Sequence, residues 1–570
     1  MFQDRYALKD PTGKLLEDDP KQMWRRVAEV FGQTKFEKEE FFSILSDFQF
    51  VPSGRILAGA GSGTTSTYYN CFVIGIKSNN PDLGNDSRQG IMDTLSNMIE
   101  ITARGGGVGM NWSTLRPSGS FIKGVQGNSS GSNSWMKGAD GLADQIRQGG
   151  SRTAALMFML DDWHPDVMEF ASAERPFLRA NFSVTVSDRF MKVLSEDGDW
   201  TFLFPDTTHP MYNTEWDGNL ERWVESGLPV IDHGTVKASL LWNMICEGAY
   251  KNGSPGLVFL EKCNKESNTW YVENLICMNP CGEQSLPAGG SCNLGSINLT
   301  SFWDPVRQDI NWTELDKVVR SSIKFLDNVI TLSKGINEEI GDIQRNVRRI
   351  GLGTMGLADI LILKQLRYGS DESLTFIGEL YTFIRDCAYD ESVNLAKRLG
   401  PAPALNKDLY LKGSFVKTLP NHIKAKIRKF GIRNLQLLTQ APTGTTGILA
   451  GASSGIEPIF SDKYLRRDAT GEHVVVHPLF EGERKDYHVT ANDVSGFEHI
   501  LVQSTIQRLI DSSISKTINM HRDSTVKDIS DAYQKAYALG CKGITIYRNG
   551  SLEDVLVTQE EAEACEACSL

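Results

Sequence analysis

Residues 277–299 read CMNPCGEQSLPAGGSCNLGSINL. Pro280, Gly282 and Pro287 oppose a helix here, so the stretch is predicted to form an extended hairpin or finger. Asn279, Cys281 and Glu283 then stand at i, i+2 and i+4, and alternate residues of an extended chain point the same way. An amide, a thiol and a carboxylate would face one pocket, a reactive sulfur beside a potential base and a hydrogen-bond orienter. Cys292 lies eleven residues after Cys281, far enough for the chain to turn back. The alternative is an incidental buried thiol near a turn, since free cysteine is among the most buried residue types.

The surrounding chain has 570 residues, 40% hydrophobic and 23% charged, with 59 Lys plus Arg against 71 Asp plus Glu. A formal charge of -12 argues against non-specific nucleic-acid binding, which needs a basic footprint. It leaves room for a small anionic substrate held by backbone N–H groups. No run approaches 18 consecutive apolar residues, so no membrane span is expected. The start, MFQDRYALKDPTGK, lacks a signal peptide's apolar stretch, which predicts a cytoplasmic protein. Ten cysteines are too few for a disulfide scaffold. In a reducing compartment they suggest thiol chemistry or metal binding.

Residues 1–50 read as helical, with KQMWRRVAEVF and EEFFSILSDF carrying apolar residues at helical spacing. From Val51 the texture changes. Strand-like runs (NCFVIGI, NFSVTV) alternate with Gly-rich turns and amphipathic helices, which favours a parallel α/β architecture over residues 51–550. Met92, Leu95 and Ile99 share one helical face, as do Trp135, Leu142 and Ile146. Residues 316–333, 371–399 and 500–519 read as longer helices. Residues 551–570 are acidic, lack aromatics and are expected to extend as a mobile tail.

Several motifs fail. ARGGGVGMNW (103–112) is not G-x-G-x-x-G, and no Walker-type phosphate loop occurs. Asp162-Trp163-His164 opens like the D-x-H-x-x-G cobalamin motif, but Val167 stands where glycine is needed, so His164 is expected to be structural. There is no H-E-x-x-H and no paired C-x-x-C set, and no metal held by protein side chains is predicted. Other features hold more. Cys565 and Cys568 form a C-x-x-C pair that could exchange a disulfide by thiolate attack or form half a metal clip. QAPTGTTGILAG (440–451) offers backbone N–H groups and hydroxyls of the kind that cradle phosphate. RQGGSRTAA (147–155) is a Gly-rich loop with Gln148 and Arg152, able to bond a base or phosphate.

Taken together, DRYALKD, VPSGRILAGAG, YNCFV, GGGVGMN, HPDVMEF, NPCGEQ, CNLGSINL, IGLGTMGLADIL, APTGTTG, GIEPIF and KGITIYRNGS resemble, in order, the catalytic chain of a ribonucleotide reductase. The resemblance implies a ten-stranded α/β barrel with the finger inside it, preceded by the small helical N-terminal region. It implies that Cys281 is the transient thiyl radical, Glu283 the base at the ribose 3′-OH and Asn279 a ribose contact. Cys71 and Cys292 would be the reducing dithiol, and Cys565 and Cys568 would relay electrons from a thioredoxin-like donor. Ser53, Asn70, Gly107, Pro442, Thr443, Gly444, Thr445, Thr446 and Gly447 match positions that bind a ribonucleoside di- or triphosphate. Asp86, Gln148 and Arg152 match the site of a dNTP or ATP specificity effector.

Family members fed by a separate radical-generating subunit carry two consecutive tyrosines near the C-terminus. Here Tyr547 is followed by Arg548. The glycyl-radical motif is also absent. The resemblance therefore implies the class that uses adenosylcobalamin directly, and such members bind it without a histidine ligand. The chain starts close to the RY..KD segment, so no overall ATP/dATP on–off control is expected. Segments 91–102 and 134–147 match helices that pair subunits in dimeric members, implying a possible homodimer.

Overall fold

The computed structural model describes residues 2–148, 152–172, 180–468, 471–480, 484–551 and 556–558. Its first part is helical for local reasons. Asp19 accepts from Lys21 N with Pro20 at the first helical position, opening helix Pro20–Phe31. Thr34 caps Lys35–Leu45 in the same way through Glu37 N. Met23, Trp24, Val27, Ala28 and Phe31 form the buried face of the first helix, the spacing of an amphipathic helix. Phe31 and Phe41 each meet Phe325 edge to face, at 5.3 and 5.2 Å. The N-terminal helices are thereby docked on helix Trp312–Leu332.

Ten strands make the main sheet: β1 Phe50–Pro52, β2 Cys71–Val73, β3 Gly107–Asn111, β4 Leu156–Asp161, β5 Ala180–Thr185, β6 Gly256–Val258, β7 Ser291–Asn298, β8 Ile350–Met355, β9 Thr517–Met520 and β10 Gly543–Arg548. Their order is β1-β7-β2-β3-β4-β5-β6-β10-β9, with β8 also paired to β7. The runs β2-β3-β4-β5-β6 and β9-β10 are parallel. β6–β10 and the β7 pairings with β1 and β2 are antiparallel. The sheet is thus mixed, where the alternation of elements predicted a parallel one. Beyond β8 the path continues through bridges Leu352–Leu438 and Gln440–Ile514, with Gln440 O accepting from Ser515 N. Backbone bonds thereby carry the path from β8 to the segment that enters β9, as the ten-stranded barrel requires. β7 and β8 are buried along their whole length, so they are covered on both faces.

The expected long helix over 500–519 is corrected. Residues 500–519 are not one helix: helix Gly496–Gln507 ends and β9 begins at Thr517. Between them Asp511 accepts from Leu437 N and Leu438 N, both at 2.9 Å, and from Tyr389 Oη. These bonds to a buried carboxylate draw the segment off the helical path. The core face of helix Arg88–Ala103 is Ile91, Leu95 and Met98, while Met92 is exposed and Ile99 half-buried. Likewise Met136, Ala139 and Ala143 are buried on helix Gly131–Asp144, whereas Leu142 is exposed and Trp135 and Ile146 are half-buried. Within the expected tail, Leu556–Thr558 pairs antiparallel with Tyr464–Arg466. No described helix is long and apolar enough to cross a membrane.

Candidate active site

Strand pair Cys277–Met278 and Ser285–Leu286 builds the finger as an antiparallel hairpin, and residues 279–284 form its tip. The tip is closed by Asn279 N to Gln284 O (2.9 Å), Gln284 N to Asn279 Oδ1 (2.9 Å) and Gly282 N to Asn279 O (3.0 Å). Gly282 sits at φ 79°, where glycine carries no steric cost. One wall approaches closely because it lacks side chains. A Cβ on Gly107 would lie 2.9 Å from Pro280 Cγ, and one on Gly109 would collide with the Met278 carbonyl. Asn181 Nδ2 on β5 donates to Pro280 O at 3.1 Å. From the opposite side Glu283 O accepts from Thr439 Oγ1 (2.6 Å), Ser513 N (3.1 Å) and Ser512 Oγ (3.3 Å). The tip is therefore held from two sides of the sheet.

Asn279, Cys281 and Glu283 border one cavity of about 290 Å³, with Cys71. Asn279 and Glu283 are buried and converge on Cys71: Asn279 Nδ2 lies 3.0 Å from its Sγ, and Sγ lies 3.6 Å from Glu283 Oε1. Cys281 alone of the three is exposed, and it opens onto the cavity. Cys292 is fully buried and directly opposite Cys71 in the β2–β7 register. Directly opposed residues of an antiparallel pair have the spacing a disulfide needs.

Desolvation dominates the electrostatics. Burial pushes the Cys71 thiol well up, and the Glu283 carboxylate pushes it further. Cys292 is raised mainly by the same enclosure, and Cys281, open to the cavity, by the desolvating protein around the tip and by the Glu283 charge. Burial also raises Glu283 above the usual carboxyl range. Thiols held this high stay protonated at neutral pH. The site is therefore ill-suited to thiolate attack, for which reactive cysteines have lowered pKa values, and well suited to giving up hydrogen atoms. Glu283 Oε2, Ser53 Oγ and Asn70 Oδ1 are buried without a hydrogen-bond partner. Such atoms cost about 1–3 kcal/mol each, which points to a polar ligand that completes them.

Ser53, Asn70, Gly107 and Pro442 through Thr446 line the same cavity. Thr443 takes a left-handed φ of 52°, unusual for a β-branched residue, and its Oγ1 accepts from Gly455 N at 2.7 Å. Gly447 stands behind the turn, its N–H bonded to Thr443 O at 2.6 Å. That backbone group is already used within the fold, and Gly447 is not among the residues that line the cavity. Arg5, Tyr6 and Arg55 also line the cavity. They lie in DRYALKD and VPSGRIL, yet no spacing rule marks them as neighbours. The same holds for Thr439, Ser512 and Ser513.

Residues 69–547 match the family model for the ribonucleotide reductase barrel domain, and residues 1–65 match its all-alpha domain. The chain belongs to the ribonucleotide reductase family. The vitamin B12-dependent ribonucleoside-diphosphate reductase of Thermoplasma acidophilum is 32% identical over 99% of this chain and 80% of its own. A protein of the same name from Mycobacterium tuberculosis is 30% identical over 97% and 79%. The ribonucleoside-diphosphate reductase large chain of Neurospora crassa is 28% identical over 81% and 52%.

The remaining expected residues of this reductase lie away from the finger. Asp86 is buried, with Arg116 Nε at 2.6 Å and Nη2 at 3.1 Å, and Tyr212 Oη at 2.7 Å. The carboxylate is thus engaged by Arg116 and Tyr212, with Oδ1 holding a single bond among the described residues. Tyr212 comes from a connection within the hairpin Asp199–Pro205/Val230–Lys237, which carries its own aromatic cluster of Phe204, Tyr212, Trp216 and Trp223. Gln148 and Arg152 stand opposite each other in a short hairpin. Cys565 and Cys568 lie outside the described residues. His164 is buried, with Nε2 2.8 Å from Leu115 O and Nδ1 accepting from Asp166 N. Burial lowers its pKa, so it is a neutral structural residue.

Proposed function

We propose that this chain is a ribonucleoside-diphosphate reductase that draws its radical from adenosylcobalamin. The observation that carries the reductase chemistry is the convergence of Asn279, Glu283 and Cys71 beside exposed Cys281, with Cys292 behind Cys71. The vitamin B12-dependent relatives support the cofactor and the diphosphate. Arg548, which follows Tyr547 where a second tyrosine would stand in partner-fed members, supports the cofactor alone: it lies 4.1 Å from the Tyr250 ring centre and donates to Arg522 O. The cavity is of small-ligand scale and suits a nucleotide rather than a corrin. The fit to the cofactor rests on Cys281, protonated and open, which would face it. When bound, adenosylcobalamin supplies a carbon-centred radical by homolysis of its cobalt–carbon bond.

The chain's own groups do the rest. The Cys281 thiyl takes the 3′ hydrogen, and Glu283 accepts the 3′-OH proton. The 2′-OH leaves as water with one hydrogen from the dithiol, and the second goes to C2′. Cys71, which lines the cavity, delivers to substrate and closes a disulfide with Cys292. Glu283 then returns its proton to the 3′ oxygen, and Cys281 returns its hydrogen to C3′. The balance is one ribonucleotide and two thiols giving one deoxyribonucleotide, water and a disulfide. Cys565 and Cys568 would re-reduce that disulfide from a thioredoxin-like donor, a cycle suited to the reducing cytoplasm. Asp86, Gln148 and Arg152 would serve a dNTP or ATP effector once Tyr212 releases Asp86. The outward stripe of Met92, Ile99, Trp135 and Leu142 suits a contact with a second copy.

The test is deoxyribonucleotide formation by the purified chain with dithiothreitol and CDP or CTP, with and without adenosylcobalamin. Product only with the cofactor is expected. No product under either condition would favour a large subunit that needs a separate radical generator, or a chain that binds nucleotides without turnover.

A further inference from the structure

The charged residues lining the finger cavity, among those described, are Arg5, Arg55 and Glu283. Glu283 belongs to the finger. The two arginines come from the N-terminal part of the chain and are brought together by one staple. Arg26 donates to Tyr6 O (3.3 Å) and to Leu57 O (3.0 Å), while its Nε is held by Glu17 at 2.7 Å. The Tyr6 ring packs on Gly54, where an added Cβ would lie 3.0 Å from Cε1. Residues 5 and 55 therefore flank a direct contact between residues 6 and 54. Ser53, whose buried Oγ lacks a partner, stands two positions before Arg55.

Gly105–Gly107 connects one arginine to the finger. The Arg55 guanidinium lies against Gly105, and Pro280 of the finger lies against Gly107. Gly105 and Gly107 are two positions apart, within about 7 Å along the chain, so Arg55 and the finger border the same short stretch of backbone. Two guanidinium groups lining the cavity that the finger tip borders favour an anion there.

We propose that Arg5 and Arg55 bind the terminal phosphate of a ribonucleoside diphosphate and make the second phosphate the feature by which substrate is chosen. This rests on the reading of the cavity as the ribonucleotide site. The all-alpha domain then has a direct part in that site, because its Arg26 staple presents both arginines. A guanidinium fork matches phosphate oxygens in a way an ammonium does not.

The experiment is equilibrium binding of ribonucleoside diphosphates and their monophosphates to the full chain carrying Cys281→Ser, alone and with Arg5→Gln or Arg55→Gln. The parent should prefer the diphosphate. Each added substitution should weaken diphosphate binding by roughly 10- to 100-fold, the loss of a charged hydrogen bond, and leave monophosphate binding unchanged. Retained monophosphate binding certifies the fold. Should a Gln variant bind neither, Arg5→Lys and Arg55→Lys replace it, and the diphosphate preference must still fall. An unchanged preference in both arginine variants overturns the inference while leaving the reductase reading intact. Failure of the parent to bind any nucleotide overturns the reductase reading, and the inference with it.

Discussion

Gly109→Ala tests whether the finger's position, and not merely its residues, makes the site. The added methyl would point at the carbonyl of Met278, a backbone atom at the finger's base that no rotamer change can move aside. Ordinary carbon–oxygen contacts lie at about 3.3–3.6 Å, so the finger must retreat by about 1.5 Å. Overpacking of this kind costs about 1–3 kcal/mol. The distant wall resists the retreat, since Glu283 O is fixed by Thr439, Ser512 and Ser513. A misplacement of about 1 Å in a reacting group lowers rate by about 100-fold. We expect Gly109→Ala to fold, to melt a few degrees lower, to bind nucleotide and to lose about 100-fold in kcat. The control is Gly138→Ala, a helical glycine with nothing within 4 Å of an added Cβ, which should keep full activity. Cofactor-supported turnover and thermal unfolding measured on the same samples decide it. Full turnover by Gly109→Ala would refute the view that finger position sets the chemistry.

Glu283→Gln should abolish turnover and yet raise stability at pH 8. The carboxyl's pKa is raised in the fold, so ionising it destabilises the native state as pH rises; the melting difference from the parent should close at low pH. Asp162 follows the same sign. Burial pushes it up to about 7, so the fold binds its proton more tightly than the unfolded chain and stability falls between pH of about 4 and 7, by up to about 4 kcal/mol. Asp162→Asn should flatten that part of the melting profile, and an unchanged slope would locate the effect elsewhere. After one turnover without external reductant, peptide mapping should find Cys71 joined to Cys292; Cys292→Ser should leave Cys71 free and stop the deoxynucleotide burst.

Much of the active site could be read from residues 277–299. The prolines and Gly282 exclude a helix, and the i, i+2, i+4 spacing brought Asn279, Cys281 and Glu283 to one cavity. What spacing could not supply was their division: two residues converge on Cys71 and only Cys281 is open, because tip closure through Asn279 and Gln284 twists the alternation. The Cys71–Cys292 pairing depends on a strand register between segments over 200 residues apart, which local pattern does not encode. The helices at 91–102 and 134–147 carry apolar residues on an outward stripe as well as on the core face, so spacing alone did not say which apolar residues are buried. Residues 508–516 left the helix through bonds from Asp511 to a segment distant in sequence. Asp86 was matched by its motif, but the Tyr212 that occupies it comes from a separate connection. The segments carrying Arg5 and Arg55 are joined by Arg26 and by the Tyr6 ring on Gly54, contacts that local pattern does not encode.

The pairing of β1 with β7 also sets a schedule for synthesis. Phe50–Pro52 finds its partners at Gly295–Ile297, roughly 245 residues later. At about 5–20 residues per second, the ribosome needs about 10 to 50 s to deliver them. Through that interval the N-terminal helices are out, together with a short apolar strand whose edges are unmatched. Helix Trp312–Leu332, on which Phe31 and Phe41 rest, emerges later still. A module made before its partners is among the last to be buried, so the nascent chain depends on whatever shields residues 20–52 until Gly295–Ile297 and Phe325 arrive.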